Sequence, residues 1–154
     1  MTDPKGATSY GDHQTFQSLG GESRTGSSQM LSDKGGFHLQ QWPIKLWKIP
    51  ATAPYFHNAH LLILADCAAL AYENLGQTLV GRLPLLCCPE SDFEVELKLQ
   101  EILEYNDILS ITVVRMDASC CADLTDLVMQ ANRRARKNVP IRTTTVFIDC
   151  EIVE

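Results

Sequence analysis

The chain has 154 residues, 45% hydrophobic and 21% charged, a balance that fits a soluble globular protein and excludes a wholly disordered or fibrous one. That length suits one domain with its own core and leaves little room for a second. Thirteen Lys and Arg against nineteen Asp and Glu leave a formal charge of -6, the wrong sign for general affinity to nucleic acid or acidic membrane.

Taken in chain order, residues 1–37 predict a disordered Gly/Ser-rich tail, and residues 38–154 a single α/β domain. Seven of the nine glycines fall before residue 37, with few apolar residues among them, so ordering the tail would cost backbone entropy that little burial could offset. Met1 to Gly11 lack a basic stretch followed by an apolar run, so no secretory signal is expected and the cytoplasm is the expected compartment. The longest apolar stretch, Ala59 to Tyr72, is about fourteen residues and contains His60 and Asp66, short of the roughly twenty that span a bilayer.

From Trp42 onward, short apolar runs alternate with helical patterns. Ile44 to Ile49, confined by Pro43 and Pro50, predicts a modest strand. Leu61 to Ala65 is a continuous apolar run suited to a strand covered on both faces. Leu83 to Cys88 predicts the next strand, stopped by Pro89, with Pro84 tolerable only near its start. Ser91 and Glu94 match a capping box, and Val95, Leu99, Ile102 and Leu103 then mark one helical face to about Tyr105. Ile111 to Met116 predicts a β-branched strand. Cys120 and Cys121 fall at the start of a helix that turns Leu124, Leu127, Val128 and Ala131 inward, with Arg133, Arg134, Arg136 and Lys137 as its solvated basic end. Thr143 to Cys150 predicts the last strand. The pattern as a whole is an α/β fold: a three-layer open sheet, mostly parallel, Rossmann-like or flavodoxin-like.

In such a sheet the loops at the carboxyl ends of the strands gather on one edge, where ligands bind. Cys67, Cys88 and the Cys120-Cys121 pair each close a strand or open the helix after one, so these four thiols are the candidate metal ligands. Thiolates suit a soft metal, an iron-sulfur cluster or zinc. In a reducing compartment, ligands, reactive thiols or buried packing are all more plausible than disulfides. Cys87 and Cys150 read as core residues. Cys120, at a helix amino terminus, is also the candidate for a reactive thiolate, with a neighbouring thiol to resolve it. Asp66 reads as a helix cap. His57 and His60 precede their strand and belong to the opposite edge. Trp42, Trp47 and Tyr72 read mainly as apolar packing.

The segments Gln41-Trp42-Pro43-Ile44, Ala53-Pro54-Tyr55-Phe56, Ala65-Asp66-Cys67, Cys88-Pro89 and Val114-Arg115-Met116-Asp117, followed by Cys120-Cys121, occur in a fixed order. Together they resemble the carboxy-terminal domain of bacterial and archaeal ferredoxin-like 4Fe-4S binding proteins, over roughly Leu39 to Glu151. The resemblance implies an iron-sulfur protein for electron transfer or redox sensing, and its cysteine elements match Cys67, Cys88, Cys120 and Cys121. In that family an amino-terminal ferredoxin region accompanies the domain. Residues 1–36 here contain no cysteine, so the resemblance implies a ferredoxin or redox enzyme as a separate partner. After the vicinal pair, Ala122-Asp123 stands where glycine-rich residues are expected. The alternatives are a thiol oxidoreductase centred on Cys120 and a non-catalytic adaptor that meets a redox enzyme near Trp42 and Tyr55. No Gly-rich phosphate loop, Ser-His-Asp order or acid-base carboxylate pair points to a substrate.

Overall fold

The run Leu61 to Ala65 leaves no polar side chain to face water, and in the computed structural model it becomes the centre of the sheet. The structure describes residues 39–153 apart from Phe93 and Cys150, so the expected tail and the core reading of Cys150 lie outside the described residues. Strand β1 (His60–Ala65) exposes only its first residue. It is flanked by β2 (Leu83–Cys87) on one side and β3 (Ser110–Met116) on the other, both parallel to it. Strand β4 (Ile141–Val146) extends the parallel set, and the two-residue β5 (Ile152–Val153) closes it antiparallel. The order β2-β1-β3-β4-β5 has the chain leave β1 in one direction and return on its other side. The switch point between β1 and β3 is where doubly wound sheets open a crevice.

Leu61, Leu62, Ile63, Leu64, Leu85, Val113 and Val114 are all at most 2% exposed. At about 1.5–3 kcal/mol for each large apolar side chain removed from water, this two-sided burial is the main source of stability. Helices α1 (Ala68–Ala71) and α2 (Leu75–Leu79) are short, whereas α3 (Val95–Tyr105) and α4 (Leu124–Arg134) run eleven residues each. The buried faces of α3 (Val95, Leu99, Ile102, Leu103) and α4 (Leu124, Val128, Ala131) recur at helical spacing, and the two helices pack on each other. No helix among the described residues is long and apolar enough to cross a membrane.

Several expectations from the sequence are corrected. Ile44 to Ile49 is not a strand: Lys45 makes a single bridge to Leu86, and Leu46–Lys48 is a 3-10 turn. Leu46 and Ile49 are both buried while Trp47 is 57% exposed, so the apolar residues repeat every three positions and not every two. The Ser91-Glu94 capping box does not form. Glu94 lies in the left-handed region at φ 71 and makes no side-chain cap, and α3 opens with the Lys98 amide on its carbonyl. The last strand stops at Val146 because the chain turns back: the Phe147 amide bonds the Glu151 carbonyl, and the Asp149 carboxylate accepts the Glu151 amide.

Pro84 sits inside β2 without harm because β2 is at the margin of the sheet. The segment before β1 lies along that margin, with the Leu86 amide donating to the Ile44 carbonyl at 2.8 Å and the buried Gln41 side chain donating to the Pro84 carbonyl at 2.6 Å.

Candidate functional site at the carboxyl edge

Each of the three adjacent strands β2, β1 and β3 delivers cysteine to the same edge. Cys67 follows the end of β1, Cys88 follows β2, and Cys120 and Cys121 form a 3-10 turn, Ser119–Cys121, beyond β3. Neighbouring strands lie about 4.8 Å apart, so the three loops are side by side.

Their environments differ. Cys67 is exposed, Cys88 and Cys120 half-buried, and Cys87 and Cys121 buried. Cys87 is the last residue of β2 and points into the core, as expected. Burial pushes its thiol up to about 12, and the nearby carboxylates of Asp92 and Asp66 add to the rise. One residue on, Cys88 has left the strand. A hydrogen bond from the Ser91 side chain, helped by the Ser91 and Glu90 backbone, holds its thiol below the ordinary value against the opposing effect of burial. Burial raises the Cys121 thiol, with the Met116 backbone opposing and the charges of Cys120 and Cys67 contributing. The Sγ atoms of Cys120 and Cys121 are 4.0 Å apart.

The helix start expected at Cys120 and Cys121 is corrected: α4 begins only at Leu124, so the pair precedes its first turn. Cys120 instead lines an open cleft of about 470 Å³ with Pro89, Glu90, Ser119, Asp123 and Leu127. The cleft therefore joins the loop after β2 to the loop after β3. Cys67 and Cys88 are not among its lining residues. Among the described residues, no three Cys, His, Asp or Glu side chains stand together closely enough to hold a metal ion as they are placed. The structure thus brings the four thiols to one edge and two of them into contact, without assembling a cage.

Asp66 is not the cap expected of it. Its Oδ2 meets the Lys45 ammonium at 2.5 Å, and Cys67 takes the cap position of α1 with no side-chain cap bond. Lys45 also reaches Asp92 Oδ2 at 2.9 Å, and that same oxygen accepts the Cys88 amide at 2.8 Å. Burial lowers the Lys45 pKa, but the hydrogen bonds and charges of the two carboxylates outweigh it and leave it raised. Sequence reasoning missed Lys45 and Asp92. The only available cue to Lys45 is a lone charge between Ile44 and Leu46; nothing local marks Asp92.

His60 lies at the amino edge as expected, with Nδ1 2.7 Å from the Ser110 hydroxyl, and His57 contacts the Asn58 side chain. Of the aromatic residues, Tyr72 is buried, but Trp42 is 76% exposed, and the Lys48 ammonium covers Trp47 at 4.9 Å. The loop after β1 is Asp66-Cys67 leading into a four-residue helix. It therefore lacks the glycines and long helix that cradle a dinucleotide phosphate.

The sequence pattern of the Rossmann-like domain family matches residues 53–154. An uncharacterized protein of Archaeoglobus fulgidus is 25% identical over 101 residues, covering 64% of this chain and 71% of that protein. No solved structure matches the chain.

Proposed function

The chain belongs to the Rossmann-like domain family, and from that premise we propose that it is an iron-sulfur or metal-binding module for electron transfer or redox sensing. The observation that carries this reading is the delivery of Cys67, Cys88, Cys120 and Cys121 to one edge by three adjacent parallel strands. The donor set fits a soft metal. Two thiolates on a tetrahedral zinc stand about 3.8 Å apart, from Zn-S bonds of about 2.3 Å, and the Cys120-Cys121 separation of 4.0 Å is close to that. These four cysteines would hold the group. A 4Fe-4S cluster would supply one-electron exchange; zinc, the alternative, would supply structure or Lewis acidity. The protein's own contribution is the set of thiolate-favouring hydrogen bonds at Cys88 and the apolar contact of Pro89 and Leu127 beside Cys120. The resemblance to ferredoxin-like 4Fe-4S proteins supports the cluster and a ferredoxin or redox enzyme as partner.

The test is iron, zinc and acid-labile sulfide content with an ultraviolet-visible spectrum, on protein purified without oxygen. Stoichiometric iron and sulfide, lost in Cys88→Ala and Cys120→Ala, are expected. Zinc without sulfide replaces the cluster with a zinc site, and metal-free protein overturns the reading.

A second reading, a thiol oxidoreductase, is favoured by the contact of the half-buried Cys120 with the Cys121 sulfur, and the lowered thiol of Cys88 is compatible with it. It keeps the centre expected from the sequence, Cys120, which lies on the cleft 4.0 Å from the Cys121 sulfur, with alkylation kinetics across pH as its test.

A further inference from the structure

Two loops that carry cysteine are joined through a residue outside both. Lys45 belongs to the segment along the margin of β2, where the Ile44 carbonyl holds the Leu86 amide and the Gln41 side chain holds the Pro84 carbonyl. Its backbone is therefore fixed relative to the sheet. From there its ammonium contacts Asp66, next to Cys67, and Asp92, whose Oδ2 binds the Cys88 amide. The side chains of Lys45, Asp66 and Asp92 are 30%, 35% and 12% exposed, so salt screens them less than a fully solvated pair. Lys45 binds Asp66 Oδ2, and the Oδ1 of the same carboxylate is buried without a hydrogen-bond partner. The two loops leave a shared anchor, the Asp66 amide on the Cys87 carbonyl at 3.1 Å; beyond it, without the lysine, two neighbouring carboxylates would be left uncompensated and would repel.

We propose that Lys45 is a positioning residue for the thiol edge: by binding Asp66 and Asp92 at once, it fixes the loops bearing Cys67 and Cys88 relative to each other. This rests on the reading that those thiols act as a set. Residues outside the ligand shell that orient it commonly change metal affinity by 10- to 100-fold, so Lys45 belongs to the site although it carries no donor for a soft metal.

The experiment compares the wild-type chain, Lys45→Met, Lys45→Arg and Asp66→Asn, reduced and without oxygen. Cobalt(II) titration is followed by thiolate-to-metal charge-transfer absorption, and hydrogen-deuterium exchange is read at the Cys88 amide in metal-free protein. Lys45→Met is expected to weaken cobalt binding about tenfold and to speed Cys88 exchange about fivefold. Lys45→Arg keeps the charge and restores both. Wild-type exchange at Cys88 in Lys45→Met overturns the proposal, as does faster exchange with unchanged cobalt affinity. Should Lys45→Met fail to fold, Asp66→Asn cuts the same link at its other end, leaves the acceptor of the Cys88 amide in place and is read the same way. A wild type that takes no cobalt removes the metal reading, and Cys88 exchange then decides the role of Lys45 alone.

Discussion

The pairs Cys87-Cys88 and Cys120-Cys121 each put one thiol inside and one towards solvent, by different means. In the first, the end of β2 divides them: Cys87 is the last inward residue of the strand and Cys88 the first of the loop. In the second, a 3-10 turn buries Cys121 and leaves Cys120 on a cleft, with the sulfurs still in contact. The strand end separates packing from chemistry cleanly, giving a raised thiol beside a lowered one. The turn keeps its two thiols coupled. Adjacent cysteines are thus distinguished by the element that carries them.

The largest effect that would break this comparison is on stability. Cys87→Ser and Cys121→Ser place hydroxyls in buried sites and are expected to cost about 1–3 kcal/mol, whereas Cys67→Ser should stay within about 0.5 kcal/mol, by urea unfolding. Equal losses at all three would erase the inside-outside division. A pH series sharpens it. The raised thiol of Cys87 keeps its proton in the fold, so its stabilising contribution is complete below its ordinary value of 9.0 and is lost as pH rises towards about 12. Cys87→Ala should flatten that alkaline decline in the urea midpoint. Mass-mapped iodoacetamide labelling should modify Cys88 well before Cys87 at neutral pH, and Ser91→Ala should raise the pH at which Cys88 reacts. The smallest effect concerns the opposite edge: His60→Ala should leave cobalt binding unchanged, because His60 meets Ser110 there.

The sequence exposes the parallel strands because both-sided burial leaves continuous apolar runs, as at Leu61 to Ala65, and it exposes α3 and α4 through their 3.6-residue spacing. It is misleading at Ile44 to Ile49, where an apolar run between prolines supports a turn as readily as a strand. The edge position of the cysteines is legible because it follows from strand ends and parallel order. The charged links are not, since Lys45 and Asp92 are 47 residues apart and meet only after β2 has found its place. Asp66 shows the same limit: a carboxylate after a strand has the local pattern of a cap, and a distant ammonium takes it instead.

The segment laid along β2 has a consequence for behaviour in a crowded solution. A marginal strand of a sheet usually offers unpaired amides and carbonyls to any other extended chain, which is a route to aggregation. Here the Leu86 amide and the Pro84 carbonyl are already taken, Pro84 has no amide to offer, and Lys45 adds charge at the border. The attachment that aims Lys45 at the cysteine loops also shields this side of the sheet against pairing with its neighbours.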